Sequence, residues 1–303
     1  MNYKGVLPSP EDKRDWKIAR CMDMPTGSVT EMLPETYTVS WLPPILNQGN
    51  VSSCTAFAMS AIFSCIWHKL TGEERDFSKG FLYGNRLETS HTGKGQIMRD
   101  VAKSATKHGD LYSSTWENLT EVPEAIKAFE EAYPEFKEYA KRLVKGYVSI
   151  HTKEEAMAFL YKYDIPLFVS TKVSKISSLA ALGEDGYHAI ICTGYENYAW
   201  KGQEYFYNQN SWGADAWCSP KPKLQFDDYT EVWGIIPMEE KKFKDVADDR
   251  WSADAIKEAA NDGIIEGFPD GTFVPSGDLT REQIAVIWQR MKRFIEENYM
   301  AKN

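Results

Sequence analysis

From Cys54 to Leu70 the chain is apolar on nearly every side, with Ala56, Phe57, Ala58, Met59, Ile62, Phe63 and Ile66 interrupted by Ser60, Ser64, His68 and Lys69, and it closes on Thr71-Gly72. Such a run predicts a helix buried all round and ended by a glycine cap. A second helix is expected from Gly95 to His108, stopped by Gly109, and helical spacing recurs over Glu124–Lys145 and Lys153–Tyr163. The period then changes. Pro166–Ser170, His188–Thr193 and Glu204–Asn208 are short β-prone runs bounded by Gly, Asp and Asn. Helices first and strands second predict an α+β fold whose two halves pack face to face.

The flanks read differently. Residues 1–40 are rich in proline, charge and turn residues with no sustained period, which predicts an extended arm. The main domain is expected over 41–240. A charged break at Lys241-Lys242-Phe243-Lys244-Asp245 opens a third segment, 241–303, with helices expected over Ser252–Asp262 and Thr280–Met300 around the loop Gly267–Phe273. No second copy of this helix–loop–helix pattern occurs in the chain.

Composition narrows the class. With 303 residues, 43% hydrophobic and 13% aromatic, the chain can bury a large core. A net charge of −9 argues against a general nucleic-acid binder, which carries a basic face. No stretch has the length of a membrane-spanning helix, and Met1–Pro8 has no apolar run of signal-peptide length. Five cysteines (Cys21, Cys54, Cys65, Cys192 and Cys218) form no framework spacing, so most are expected to be buried, inert thiols.

Cys54 is the exception. It opens the predicted helix, where unsatisfied N–H groups and the helix dipole favour a thiolate. The loop before it, Leu46-Asn47-Gln48-Gly49-Asn50-Val51-Ser52-Ser53, places the Gln48 amide upstream of the sulfur. A nucleophilic thiol also needs a base and an oxyanion donor.

Gln48-Gly49 followed by Cys54-Thr55-Ala56-Phe57-Ala58, then Gly186-Tyr187-His188-Ala189-Ile190, then Asn210-Ser211-Trp212-Gly213, resembles the papain family of cysteine peptidases in four ordered pieces. The wide separation of Cys54 and His188 suits that family. The resemblance implies a two-lobed fold, helical then antiparallel β, with Cys54 as nucleophile and His188 as its ion-pair partner and proton donor. It also implies that Asn210 orients the imidazole, that Gln48 and the Cys54 N–H form the oxyanion hole, and that Trp212 shields the Asn210–His188 bond. Gly93-Lys94-Gly95 resembles the segment that pairs with substrate backbone, so Gly93 and Gly95 are expected to bind substrate. No cofactor and no metal are needed for this chemistry. Thr55 and Val51 replace a tryptophan and a disulfide cysteine of lysosomal and plant members, and the sequence resembles a bacterial branch instead. His68, His91, His108 and His151 sit in no matching context and are expected to be structural.

The third segment, from Phe243-Lys244-Asp245 through Gly267-Phe268-Pro269-Asp270-Gly271-Thr272-Phe273 to Leu279-Thr280-Arg281-Glu282, resembles a single S-layer homology repeat. Such repeats bind secondary cell-wall polymers, which implies a glycan site at Arg281, Asp270 and Gly271. Thr280 is expected to cap a helix, with Arg281 in its first turn offering a bidentate fork to an anionic sugar substituent. These repeats usually act in threes, so association of three chains is one expectation; a docking or structural cap is the other.

The resulting expectation is a cysteine endopeptidase acting on protein or peptide substrates at or near a bacterial surface. Two alternatives stand beside it: a non-catalytic papain-like surface or virion protein, and a hydrolase of cell-wall peptides. The third segment points to the cell surface or exterior, while the absence of a visible signal peptide leaves cytoplasmic and virion-associated locations open.

Overall fold

The computed structural model describes residues 5–12, 15, 33–177, 186–198, 203–213, 220–238, 243–261 and 264–295. Trp16, Cys21, Cys218, Lys241, Lys242 and the last residues of the helix expected to reach Met300 lie outside the described residues. The chain divides into two compact units, Met1–Pro237 and Met238–Asn303.

In the first unit the long apolar run forms helix α1 (Cys54–Thr71), with Gly72 left-handed at φ 75 and donating to the His68 carbonyl. Twelve of its side chains are buried, which explains why no polar stripe marks it. Around it lie α2 (Lys79–Gly84), α3 (Met98–His108) and α4 (Glu124–Phe136). Helix α5 (Lys153–Tyr163) spans the expected residues and starts on a capping box between Thr152 and Glu155.

The strands are β1 (Val6–Leu7), β2 (Thr36–Thr38), β3 (Gln96–Ile97), β4 (Val144–Ser149), β5 (Leu167–Lys172), β6 (Tyr187–Tyr198), β7 (Gln203–Gln209), β8 (Lys223–Leu224) and β9 (Tyr229–Pro237). Seven form an antiparallel sheet in the order β4-β9-β5-β6-β7-β8, with β2 taking over beside β6 at Gly194–Glu196, beyond the end of β5. β1 and β3 form a separate parallel pair.

Both faces of this sheet are covered. Phe168, Ala189, Ile191, Trp233 and Ile235 join the core around α1. Their neighbours Leu167, Val169, Ile190, Cys192 and Val232 join a second core under α5, with Phe159, Leu160 and Phe206. Alternate side chains therefore enter different cores, which is why these strands read as unbroken apolar runs.

Two expectations shift. The second helix begins at Met98, because Gln96 and Ile97 are drawn into a strand. The helix expected to reach Lys145 ends at Phe136, passes through a 3-10 turn at Lys137–Tyr139 and gives way to β4, whose Tyr147 and Val148 pair with β9. In its described parts the arm lies on the domain: β1 pairs with β3 and β2 belongs to the main sheet.

In the second unit, α6 (Ala253–Asn261) and α7 (Arg281–Ile295) flank the turn-rich loop. Thr280 caps α7 as expected: its hydroxyl accepts from Gln283 N–H, and the Gln283 side chain accepts from Thr280 N–H. The Asp245 carboxylate accepts from the N–H groups of Phe273 and Val274, and the Phe243 and Phe273 rings pack 5.1 Å apart.

Candidate active site

The start of α1 meets the start of β6. Cys54 is the first residue of the helix, and its thiol accepts from the Ala189 N–H at 3.4 Å. Ser53 precedes the helix without capping it, so the first-turn N–H groups stay available to the sulfur. The thiol is nevertheless fully buried, and burial pushes its pKa up to about 12, against the opposing pull of the N–H groups of Ala189, Thr55 and Cys54 itself. Burial thus works against the thiolate that the helix position favours.

His188, the residue before Ala189, is buried too. Its Nε2 lies 2.8 Å from Asn210 Oδ1, which also accepts the Ser211 N–H at 2.7 Å. An atom that accepts a backbone N–H is the amide oxygen, so His188 Nε2 carries the proton and Nδ1 is the basic nitrogen. Trp212 packs on the imidazole with ring centres 4.0 Å apart. Burial lowers the His188 pKa to about 4, although the Asn210 bond favours the charged ring. Burial thus works against the charged form of thiol and imidazole alike.

Gln48 is buried and anchored at both ends of its amide. Its Nε2 donates to the Val51 carbonyl at 3.0 Å, its Oε1 accepts from Ser211 Oγ at 2.7 Å, and its own N–H donates to the Ser211 carbonyl. Loop 46–48 and the Asn210–Gly213 stretch are therefore one stitched surface. The sequence brings Gln48, Cys54, His188, Asn210 and Trp212 to one place.

What covers the thiol is the N-terminal arm. A Cβ built on Gly5 would lie 2.4 Å from Cys54 Sγ, so no larger residue fits at that position. The Gly5 carbonyl accepts from Gln96 N–H, and Val6 and Leu7 pair in parallel with Gln96 and Ile97. Further along, Ser9 N–H reaches the Glu231 carboxylate, Ser9 Oγ accepts from Arg99 N–H, and Asp15 pairs with the Arg99 guanidinium at 3.0 Å.

Gly93 and Gly95 fall on the same edge but do not themselves pair with a strand. Gly93 is exposed; the Gly95 N–H donates to Tyr83 Oη at 3.4 Å and its carbonyl accepts from Arg86 at 3.0 Å. Backbone pairing starts one residue later, at Gln96. Sequence reasoning missed Gly5, Tyr83, Gln96 and Glu121, which carry no local motif outside their three-dimensional setting, and it gave no role to Ser211, although that residue lies within the Asn210–Gly213 motif.

In the second unit, Asp270 accepts from the N–H and hydroxyl of Thr272, which hold its carboxyl below the usual range. The Gly271 carbonyl accepts from Lys244 N–H, and Arg281 stands exposed at the start of α7. Among the described contacts, no hydrogen bond or ion pair joins Arg281 to Asp270 or Gly271. Among the described residues, no cluster of His, Cys, Asp and Glu has the makings of a metal site, and no helix is long and apolar enough to cross a membrane.

Comparison with known proteins follows the same division. The family model of papain family cysteine proteases matches residues 35–219, and that of the S-layer homology domain matches 242–285. The first match takes in more than half of the chain, and the chain belongs to the papain family of cysteine proteases. Among solved structures, xylellain, a cysteine protease from Xylella fastidiosa, shares the fold at a TM-score of 0.61 and 20% identity over 78% of this chain and 97% of its own. ProCathepsin B S9 from Trypanosoma congolense does so at 0.57 and 13%, over 78% and 86%. Cell surface glycoprotein 1 of Acetivibrio thermocellus is 44% identical over 45 residues, which is 15% of this chain and 2% of that protein. Outer membrane protein SlpA of Thermus thermophilus is 45% identical over 56 residues, or 18% and 6%. The chain spans less than a tenth of either.

Proposed function

We propose that the protein is a cysteine endopeptidase in which Cys54 attacks the carbonyl carbon of a peptide bond. His188 Nδ1 takes the thiol proton to form the ion pair and then gives it to the leaving amine. Water cleaves the resulting thioester, and Cys54 is regenerated. Asn210 keeps the ring in the tautomer that leaves Nδ1 basic, Trp212 keeps water from that bond, and Gln48 with the Cys54 N–H receives the oxyanion. The observation that carries this reading is the Ser211 N–H on Asn210 Oδ1, which supports a His188 tautomer with Nδ1 free to act as the base. Gly93 and Gly95 belong to the edge along which substrate lies, the edge that the arm's own strand now uses.

A thiol-directed peptidyl epoxide applied to the reduced full-length chain tests it. Adduct at Cys54 in the native protein, lost in His188→Ala, is the expected result. A Cys54 that stays unlabelled after prolonged incubation, including in a variant whose arm is displaced, sinks the reading. The complete burial of Cys54 under Gly5 favours one second reading, a non-catalytic papain-like shell, and the same experiment separates the two.

The S-layer homology unit supports a location at the cell surface, with Arg281, Asp270 and Gly271 contacting a secondary cell-wall polymer and protein or wall peptides as substrates. The exposed side chains of Ile284, Trp288 and Ile295 follow helical spacing along α7, which supports self-association through this unit, and three chains would rebuild the set of three in which such repeats usually act. A strictly monomeric mass by light scattering would remove the trimer.

A further inference from the structure

Cys54 is held from both sequence sides by bonds that converge on one buried tyrosine. Two residues before it, Ser52 gives both its N–H (3.1 Å) and its hydroxyl (2.9 Å) to Glu121 Oε2. One residue after it, the Thr55 hydroxyl donates to Gln96 Oε1 at 2.6 Å. Gln96 Nε2 in turn donates to the carbonyls of Leu82 and Tyr83, and the Tyr83 hydroxyl donates to Glu121 Oε1, which also accepts the Val122 N–H. The circuit Ser52–Glu121–Tyr83–Gln96–Thr55 is closed, and the side chains of Tyr83, Gln96 and Thr55 are buried.

Each end of the circuit touches a different part of the site. Ser52 terminates the loop whose Gln48 amide is tied to the Val51 carbonyl, so Glu121 sets the position of the oxyanion donors. The Tyr83 hydroxyl accepts the Gly95 N–H, so the same carboxylate reaches the edge along which an extended chain pairs. At the place where related enzymes carry a disulfide cysteine this chain has Val51, and Ser52 with Glu121 supplies the cross-tie beside it.

We infer that Glu121 is a positioning residue for the reaction, joining the oxyanion loop and the substrate-pairing edge through one ionised carboxylate. The inference rests on the Cys54 reading above. Two oxygens accept four donors: two from Ser52, one from Tyr83 and one from Val122. A carboxylate can do this and a carboxamide cannot, because its NH₂ end faces donors. Burial works against the charge, but the bonds from Tyr83, Ser52 and Val122 outweigh it and hold the Glu121 carboxyl below the usual range.

The full-length protein can be tested with two thiol reagents of different demands. Iodoacetamide alkylates Cys54 without forming an oxyanion. A peptide aldehyde forms a thiohemiacetal: the Sγ–C bond forms, the carbonyl π pair moves to oxygen, and the thiol proton passes to His188 Nδ1, which leaves that oxygen as an oxyanion. Its affinity therefore reads the oxyanion hole. In Glu121→Gln the aldehyde is expected to bind on the order of 10²-fold more weakly, with the alkylation rate unchanged, and Glu121→Asp is expected to recover part of the loss. Tyr83→Phe, which leaves Ser52 on the carboxylate, is expected to weaken a peptide aldehyde but not a single-residue aldehyde. Equal aldehyde affinity in Glu121→Gln and the native chain overturns the inference, as does a Tyr83→Phe effect on both aldehydes alike. Native protein that takes neither reagent at Cys54 overturns instead the nucleophile reading beneath it.

Discussion

Gly5 stands directly against Cys54, close enough that a single added methyl would come within 2.4 Å of the sulfur. The described arm continues from there along β3 and onto Glu231 and Arg99, so this contact is one point of a longer seam. In Gly5→Ala the arm must shift away from the thiol. Overpacking of this kind costs about 1–3 kcal/mol, and 1.4 kcal/mol corresponds to a tenfold change in population. Alkylation of Cys54 by iodoacetamide should therefore run about tenfold faster or more in Gly5→Ala. An unchanged rate would mean that the arm does not limit access.

Gln48→Ala removes the amide that ties the Val51 carbonyl to Ser211. Turnover of a peptide substrate should fall by about 10²-fold in kcat with a much smaller change in KM, as for loss of one oxyanion donor. Steady-state kinetics checks this; a loss confined to KM would assign Gln48 to substrate binding.

Stability should depend on pH in two opposite limbs. His188 has a folded pKa near 4, depressed from 6.5, so the unfolded chain binds its proton first as the pH falls. Stability present above about 6.5 is therefore lost between 6.5 and 4. Cys54 is raised from 9.0 to about 12, so the unfolded chain loses its proton first, and stability falls as the pH rises past 9.0. Cys192, buried and raised to about 12, adds to the same alkaline limb. Denaturant titrations across this range should give a plateau between the limbs, and His188→Gln should flatten the acid one. An acid limb intact in His188→Gln would refute the assignment.

Arg281→Ala should leave the Thr280 cap and α7 in place while weakening co-sedimentation of the full-length chain with purified Gram-positive cell walls. Loss of hydrogen bonds from a charged group is worth roughly tenfold or more in affinity. Wall binding equal to that of the native chain would move the glycan site elsewhere on the unit or remove it.

Local signals explain what was legible beforehand. The helix from Cys54 announces itself by a glycine-bearing loop, an apolar run and a terminal glycine, all within the segment itself. Asn210-Ser211-Trp212-Gly213 likewise carries its own punctuation. β4 was hidden because strong helix formers precede it and its pairing partner, β9, lies far downstream. β3 was hidden because its two residues are extended through pairing with β1, from the far end of the chain. Glu121 sits in an ordinary Glu-Val-Pro loop, and nothing nearby foretells that Ser52 and Tyr83 will converge on it. The rise in the Cys54 pKa was beyond local reading for the same reason: its cause is burial among residues from distant parts of the chain, Gly5 among them.

The alternation of β6 between two cores has a consequence for how this chain can vary. His188 lies opposite Thr171 on β5, while Ile191 lies opposite Gln209, the residue before Asn210, on β7. One residue deleted within β6 would exchange Ile190 and Ile191 between cores and carry His188 away from both Cys54 and Asn210. Insertions and deletions in this strand are thus expected to be absent from functional variants, because a single frame of pairing serves the packing and the proton transfer together.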